Sequence, residues 1–478
     1  MSTPKHVEAH PNKAFFVHML TRDIDLSDAI LDLLDNCVDG ITRQLAPSSA
    51  EPSTIDQPYD GYWAKIVATP ERFEIWDNCG GIPEEIARNS AFMMGRPNTD
   101  RDDDIETVGM YGIGMKRAIF KLGRSCVVTS QPATGQYHVD ISTDWMNDDA
   151  DWTLKLEESE KSEQFKENGT KIIVEQLLPG IQRQFKKSKS SFLASLEKEV
   201  SQHYALILQK GFSVQINGSK IKPVKLSVLS PSELGIGDES KIEPYIFRGK
   251  FADVSVELAV GFYRSLAKEN EIEDSLLKST RDHAGWTVVC NERVVLYNDK
   301  SAITGWGTHG VPSFHNQFIS IAGVVSFRSK QSMQLPLNTT KRGLDTSSEI
   351  YHIVLHYMQE GMKKFISFTN VWKRSEEEME AAFEELSPQD PARILSELDA
   401  SKLRRIRNHK DKGTGSFYSP NLPKPKNEKR KPRICFNATD AEISLVQEYF
   451  FADQHVDRSA LGRKCFDESL VLAREVAE

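Results

Sequence analysis

The stretch DLSDAILDLLDNCVDG (residues 25–40) makes a demand that few folds can meet. Leu26, Ile30, Leu33, Leu34 and Cys37 recur with helical spacing, while Asp28, Asp32, Asp35 and Asp39 follow one another at intervals of 4, 3 and 4. At ~100° per residue these four carboxylates fall within an arc of roughly 60°. Like charges so placed destabilise a helix by about 0.2–0.5 kcal/mol per pair, so the segment is either a solvated acidic surface or a wall against which cations are set. Asn36 follows Asp32 by one turn. A carboxylate that can orient water and an amide oxygen that can ligate Mg²⁺ therefore project on neighbouring faces.

Three further motifs come after it in order. FEIWDNCGGIP (73–83) runs from a strand into an Asp and two glycines. A carboxylate at a strand end can accept an adenine amino hydrogen, and Gly81 permits close approach of backbone and base. GMYGIGMK (109–116) places Gly109, Gly112 and Gly114 before a helix containing Lys116, and amides at a helix start are natural hosts for anions. Asn168-Gly169-Thr170 opens the strand TKIIVEQL. Taken alone, each is as readily an ordinary turn; their conjunction points to a nucleotide. No GxxxxGK[ST] occurs, which excludes the P-loop route.

Composition sets the frame. A chain of 478 residues with 39% hydrophobic content can bury more than one core. No apolar run approaches the ~18 residues of a membrane helix, and the polar start lacks a signal peptide's apolar segment, so a cytoplasmic protein is expected. The six cysteines lie far apart without a CxxC and are read as reduced thiols. The formal net charge of −9 is unevenly spread: Lys402 to Arg433 carries twelve Lys/Arg against two Asp/Glu, leaving −19 elsewhere.

The patterning predicts helices over 14–45 and 189–208 and strands at WAKIVAT, FEIWD, 125–130, 136–142 and 170–176. Pro83 to Val108 is aperiodic, as lids often are. An Asn-Gly turn at 217–218 is expected to open a second domain. The expected division is 1–210, 211–373, an acidic helix and basic linker over 374–433, and a strand-helix-helix tail over 434–478. The linker's mix of charge with Pro and Gly predicts an extended, solvated chain. Arg404, Arg405, Arg407, Lys429, Arg430, Lys431 and Arg433 are its candidate DNA contacts. The tail resembles a ribbon-helix-helix module, with plain dimerisation or partner docking as the alternative.

The order of the four motifs resembles that of the GHKL (Bergerat-fold) ATPases, over roughly residues 10–370. Within that superfamily AGWTVVCNERVVL, TGWG, FHNQFISIAG and LPLNTTKRGLD resemble the MORC and prokaryotic MutL-like branch. The resemblance implies an α+β chain: a Bergerat-type α/β sandwich, then a transducer-like α/β domain. It implies ATP and Mg²⁺ as cofactors, with Asp32 in place of the family's general-base Glu and Asn36 as the Mg²⁺ ligand. It puts Asp77 and Gly81 at the adenine, Gly109, Gly112, Gly114 and Lys116 at the phosphates, Thr170 in the water network below the base, and Lys341 against the γ-phosphate. Two departures stand out. Asp32 is one methylene shorter than Glu, and Cys79 occupies a usual glycine position. The resemblance further implies a homodimeric, ATP-gated clamp on DNA or a DNA-bound partner such as a nuclease, in restriction, antiviral defence or repair. A non-hydrolysing assembly switch or a chaperone-like role is the alternative.

Overall fold

A computed structural model describes residues 12–46, 57–93, 95, 106–107, 109, 112–149, 151–159, 165–186, 192–232, 241–266, 283–338, 341–372, 376–406, 413–425, 437–452 and 456–477. The chain forms two compact units, Met1–Pro425 and Lys426–Glu478. The architecture is α+β, as the sequence implied.

The larger unit contains two large sheets. The strands of the first are β1 (Trp63–Ala68), β2 (Phe73–Asp77), β3 (Gly123–Gln131), β4 (Gln136–Ile141), β5 (Leu156–Ser159), β6 (Gly169–Leu177), β7 (Ser213–Ile216) and β8 (Ser219–Lys220). Their order is β5-β4-β3-β6-β2-β1-β7-β8. Alternation fixes the register. Ile66 faces Ile75, Ile75 faces Ile172 and Ile172 faces Val128, giving an apolar row across four strands. Against that row pack Ile30 and Leu34 of the helix Leu26–Leu45, Ile119 of the helix Gly114–Leu122 and Leu196 of the helix Phe192–His203. The segment expected to open a second domain instead lies at this sheet's edge. β7 is parallel to β1, and Asn217 caps the join by accepting from Ala68 N–H and donating to Ala68 C=O.

The second sheet is built from β10 (Tyr245–Phe251), β11 (Val254–Phe262), β12 (Gly285–Cys290), β13 (Arg293–Asp299), β14 (Ile321–Arg328), β16 (Arg404–Ile406) and β17 (Gly413–Tyr418), in the order β13-β12-β14-β11-β10-β17-β16. β9 (Val228–Ser230) and β15 (Ser387–Gln389) form a separate pair. The helix Glu349–Trp372 covers one face, with Phe365 set edge-on to Phe262 at 5.1 Å between ring centres. Two strands correct the expectation of a solvated linker. Residues 404–406 and 413–418 extend this sheet because Phe417 and Ile406 alternate with polar positions and pack on its core.

In the smaller unit the helix Asp440–Phe451 begins with the expected capping box between Thr439 and Glu442, and a second helix spans Arg458–Ala477. Residues 433–436 of the expected strand lie outside the described residues, and the described Asn437–Thr439 carries no strand.

Phe365 is fully buried whereas Val371, on the same helix, is 40% exposed. Phe365→Ala should therefore cost about 3–5 kcal/mol in a denaturant titration, and Val371→Ala no more than about 0.5 kcal/mol.

Candidate functional site

The acidic helix is buried on nearly every side. From Leu26 to Asp39 all residues are buried except Asn36, which is exposed. Its four aspartates each meet a donor. Arg342 lies against Asp28 and also donates to Ser27 Oγ at 3.0 Å. Asp32 Oδ2 takes Arg117 Nη2 at 2.5 Å, and Asp32 Oδ1 stands 3.2 Å from Lys341 Nζ. Asp35 receives Arg293 Nε at 2.9 Å, Lys341 Nζ at 2.8 Å and the Tyr204 hydroxyl at 2.6 Å. Asp39 accepts the Gly109 N–H at 2.9 Å.

The cations arrive from three places: Arg117 from the following helix, Arg293 from β13, and Lys341 and Arg342 from the loop after β14. Burial pushes the Asp35 carboxyl up, but Lys341 and Arg293 outweigh it and bring it down to about 2. Burial works against the Lys341 ammonium, and Asp35 with Asp32 more than reverses this, holding it above the ordinary lysine range. Asp28, at the edge of the cluster, is pushed up to about 6 by burial despite Arg342. Lys341 adopts φ 57°, a left-handed conformation that costs of order 1–3 kcal/mol for a non-glycine residue and persists where surrounding contacts impose it.

A second cluster sits at the end of β2. The Asp77 carboxylate is buried, and its Oδ1 accepts the Cys79 N–H at 2.8 Å and the Thr170 N–H at 3.4 Å. Its Oδ2 lies 3.5 Å from Cys37 Sγ on the acidic helix. Burial pushes Asp77 up to about 6, against these hydrogen bonds. The turn that follows needs its glycines: Gly80 and Gly81 take φ of 100° and 71°, a region closed to most side chains. Gly169 answers a different need. A Cβ there would stand 1.9 Å from the Asp77 carbonyl oxygen, so only glycine lets β6 pass the end of β2. Cys79 does not protrude. Its thiol is buried, 3.9 Å from the Trp63 carbonyl.

The glycine-rich segment comes against the acidic helix. A Cβ on Gly114 would lie 3.3 Å from Asp32 Cβ, so the first turn of the helix Gly114–Leu122 abuts Asp32. Its N-cap, Ile113, supplies no side-chain acceptor, leaving first-turn amides for an anion. Lys116 points elsewhere. Its Nζ donates to the carbonyls of Ala91, at 2.8 Å, and of Gly112, and burial brings it down to about 8. Within the expected lid, residues 84–91 form helical turns, while 94, 96–105 and 108 lie outside the described residues. Thr107 is buried and its carbonyl accepts from Asn291 Nδ2 at 2.9 Å.

Of the residues expected from the sequence, the structure brings Asp32, Gly114 and Lys341 together in one cluster and Asp77 and Thr170 in another, with Cys37 beside Asp77. Sequence reasoning missed Arg117, Arg293, Arg342 and Tyr204. Lys341-Arg342 was visible as a basic pair, and Arg293 breaks the apolar run of its hairpin, but nothing local said which acid each would meet. Of the candidate DNA contacts, Arg404 and Arg405 are exposed at the edge of the second sheet; Arg407, Lys429, Arg430, Lys431 and Arg433 lie outside the described residues.

Arg293→Leu should leave Asp35 short of a partner and cost about 3–5 kcal/mol in urea unfolding, whereas Asn36→Ala should change stability by less than about 0.5 kcal/mol. Asp35 titrates near 2 in the folded chain against an ordinary 3.8. Its ion pairs thus stabilise the fold above about pH 4, and unfolding measured between pH 4 and 2 should show that contribution fading as pH falls.

No curated protein matches the chain. Residues 24–171, which include Asp32, Asn36, Asp77, Gly109, Gly112, Gly114, Lys116 and Thr170, match the family model of the histidine kinase-, DNA gyrase B- and HSP90-like ATPases, and this part of the chain is thereby supported as a GHKL-type ATPase domain that implies ATP binding.

Proposed function

We propose that the chain is a nucleotide-gated ATPase of the MORC and MutL-like kind, working as a homodimeric clamp on DNA or a DNA-bound partner. The observation that carries the ATPase reading is the convergence of an uncapped helix start, Asp32 and Lys341 beside an exposed Asn36. The residues fit a magnesium nucleotide: first-turn amides of Gly114–Leu122 would bind phosphate oxygens, and Asn36, the one exposed residue between Leu26 and Asp39, would hold the metal. Magnesium, when bound, neutralises phosphate charge. Asp77 accepts from the adenine amino group, with Gly81 close to the base and Thr170 holding the water beneath it. Gly109 and Gly112 flank the phosphates at the end of the lid, and Lys116 ties the lid's helical turn at Ala91 to Gly112.

Asp32 takes the proton of the attacking water. For that, one of its two cations must withdraw, and Lys341 is the one mounted on a loop rather than within the same domain's helix. Lys341 moving from Asp32 and Asp35 to the γ-phosphate would free the base and bind the second sheet to the nucleotide in one step. A non-hydrolysing switch is the second reading, favoured by the two cations that occupy Asp32 and by its shorter side chain. Dimerisation has separate support in the smaller unit, whose helices leave Leu445, Tyr449 and Leu472 exposed.

Phosphate release with Mg²⁺ should fall to background in Asp32→Ala and in Asn36→Ala; equal rates in both variants and the wild type would remove the catalytic assignment. Asp77→Asn should weaken ATP binding about tenfold to a hundredfold by calorimetry. Asp77 must be ionised to accept, and it titrates near 6. ATP affinity of the wild type should therefore drop as pH falls below 6, and this component should be missing from Asp77→Asn.

A further inference from the structure

One face of the second sheet changes character along its strands. At one end Ile246 of β10, Ala259 of β11 and Tyr418 of β17 are covered by Ile394, Leu395 and Leu398, in and just beyond the helix Pro391–Glu397. Past that helix the same face is open and polar, and forms a trough of about 700 Å³. The pairing registers set its side chains in two rows. In the first, Arg405 faces Ser416, Ser416 faces Arg248, Arg248 faces Glu257 and Glu257 faces Ser326. In the second, Thr414 faces Lys250, Lys250 faces Ser255 and Ser255 faces Arg328.

Four cations therefore stand against one acid, since Glu257 is the sole carboxylate lining the trough among the described residues. Glu257 answers only Arg248, at 3.5 Å. Arg248 makes that contact through Nε, without hydrogen-bond geometry, and the Arg328 Nε is buried without a hydrogen-bond acceptor. Arg328 also helps hold the Glu292 carboxyl down, but four cations facing one lining carboxylate leave this face with a net positive charge. A strand face that needs only solubility would mix both signs, and buried guanidinium N–H groups cost free energy when unmatched.

The spacing identifies the occupant. Within each row the cations sit two strands apart, about 9.6 Å, and the rows are two residues apart, about 6.6 Å. A single phosphate is gripped by donors that converge on it; these donors are spread over a surface with hydroxyls between them, as a polymer with repeated phosphates requires. Among the described residues the lining holds no aromatic side chain, whereas proteins that take single strands stack bases on aromatic rings. We infer that this open face is a binding surface for the phosphate backbone of duplex nucleic acid, independent of its sequence because only backbone contacts are offered. The inference rests on the reading of the chain as a DNA-acting protein, and it moves the site from the linker as a solvated tether to the folded sheet.

The test uses the full chain and a labelled random-sequence duplex, with anisotropy read across a salt series. Arg248→Ser, Lys250→Ser and Arg328→Ser together should lower the slope of log affinity against log salt by about 0.9 per cation, roughly 2.7 in all, and leave ATP binding as it was. Glu257→Gln should bind duplex more tightly than the wild type, a gain that misfolding cannot produce. If the wild type fails to bind duplex at about 50 mM salt, the DNA reading itself falls. If the wild type binds but the triple variant keeps its slope and Glu257→Gln is unchanged, the DNA reading stands and the placement on this face is overturned. A single strand of the same length that binds more tightly than duplex, and loses as much in the triple variant, would overturn the choice of duplex.

Discussion

The structure turns on a buried carboxylate with three donors. Asp35 lies on the acidic helix of the first sheet's layer, and Arg293 and Lys341 come to it from the second sheet and its following loop. Charges this deep are costly to desolvate and repay the cost only when every partner is in place. The contact therefore acts less as an adhesive than as a registration mark. Sheets joined through apolar surface alone could slide by a residue, whereas a slide here would strand one anion and two cations away from water.

The same acidic helix carries Asp32, which abuts the first turn of the helix Gly114–Leu122. Its aspartates repel one another, so the helix holds its shape only while cations from three separate segments are docked on it. Any ligand that draws one cation away redistributes that repulsion along the helix. The charge balance of this helix and the seating of the second sheet are in this way tied together.

Much of this was legible in the sequence because period and turn chemistry are local. The alternation in WAKIVAT and FEIWD gave the strands, the spacing of Leu26, Ile30, Leu33 and Leu34 gave the helix, and Thr439 with Glu442 gave a cap. Pairing at a distance was not legible. Gly-Phe-Ser-Val-Gln-Ile reads as a hairpin strand whichever sheet it joins, and only the parallel match of Ile216 to Ile66 decides. Residues 404–418 failed for the opposite reason. Their charge density argued for solvation, but charge on one face of a strand leaves the other face free to pack, and Phe417 uses it. The aspartates announced a need for cations, while Arg117, Arg293 and Arg342 could be matched to them only in three dimensions.

The turn between β12 and β13 has a further consequence. Asn291 and Glu292 both have positive φ, 43° and 68°, as a two-residue hairpin of the type I′ kind requires. Asn291 holds the Thr107 carbonyl and the Ser329 carbonyl, while Glu292 takes the Tyr59 hydroxyl at 2.7 Å and pairs with Lys210. Two residues thus rivet the far end of the lid segment and the edge of the first sheet to the tip of a stiff hairpin. A load on Thr107 would reach β12, which lies next to the edge strand β13 and runs parallel to β14. One turn thus ties Thr107 and the edge of the first sheet to the sheet that carries the basic trough.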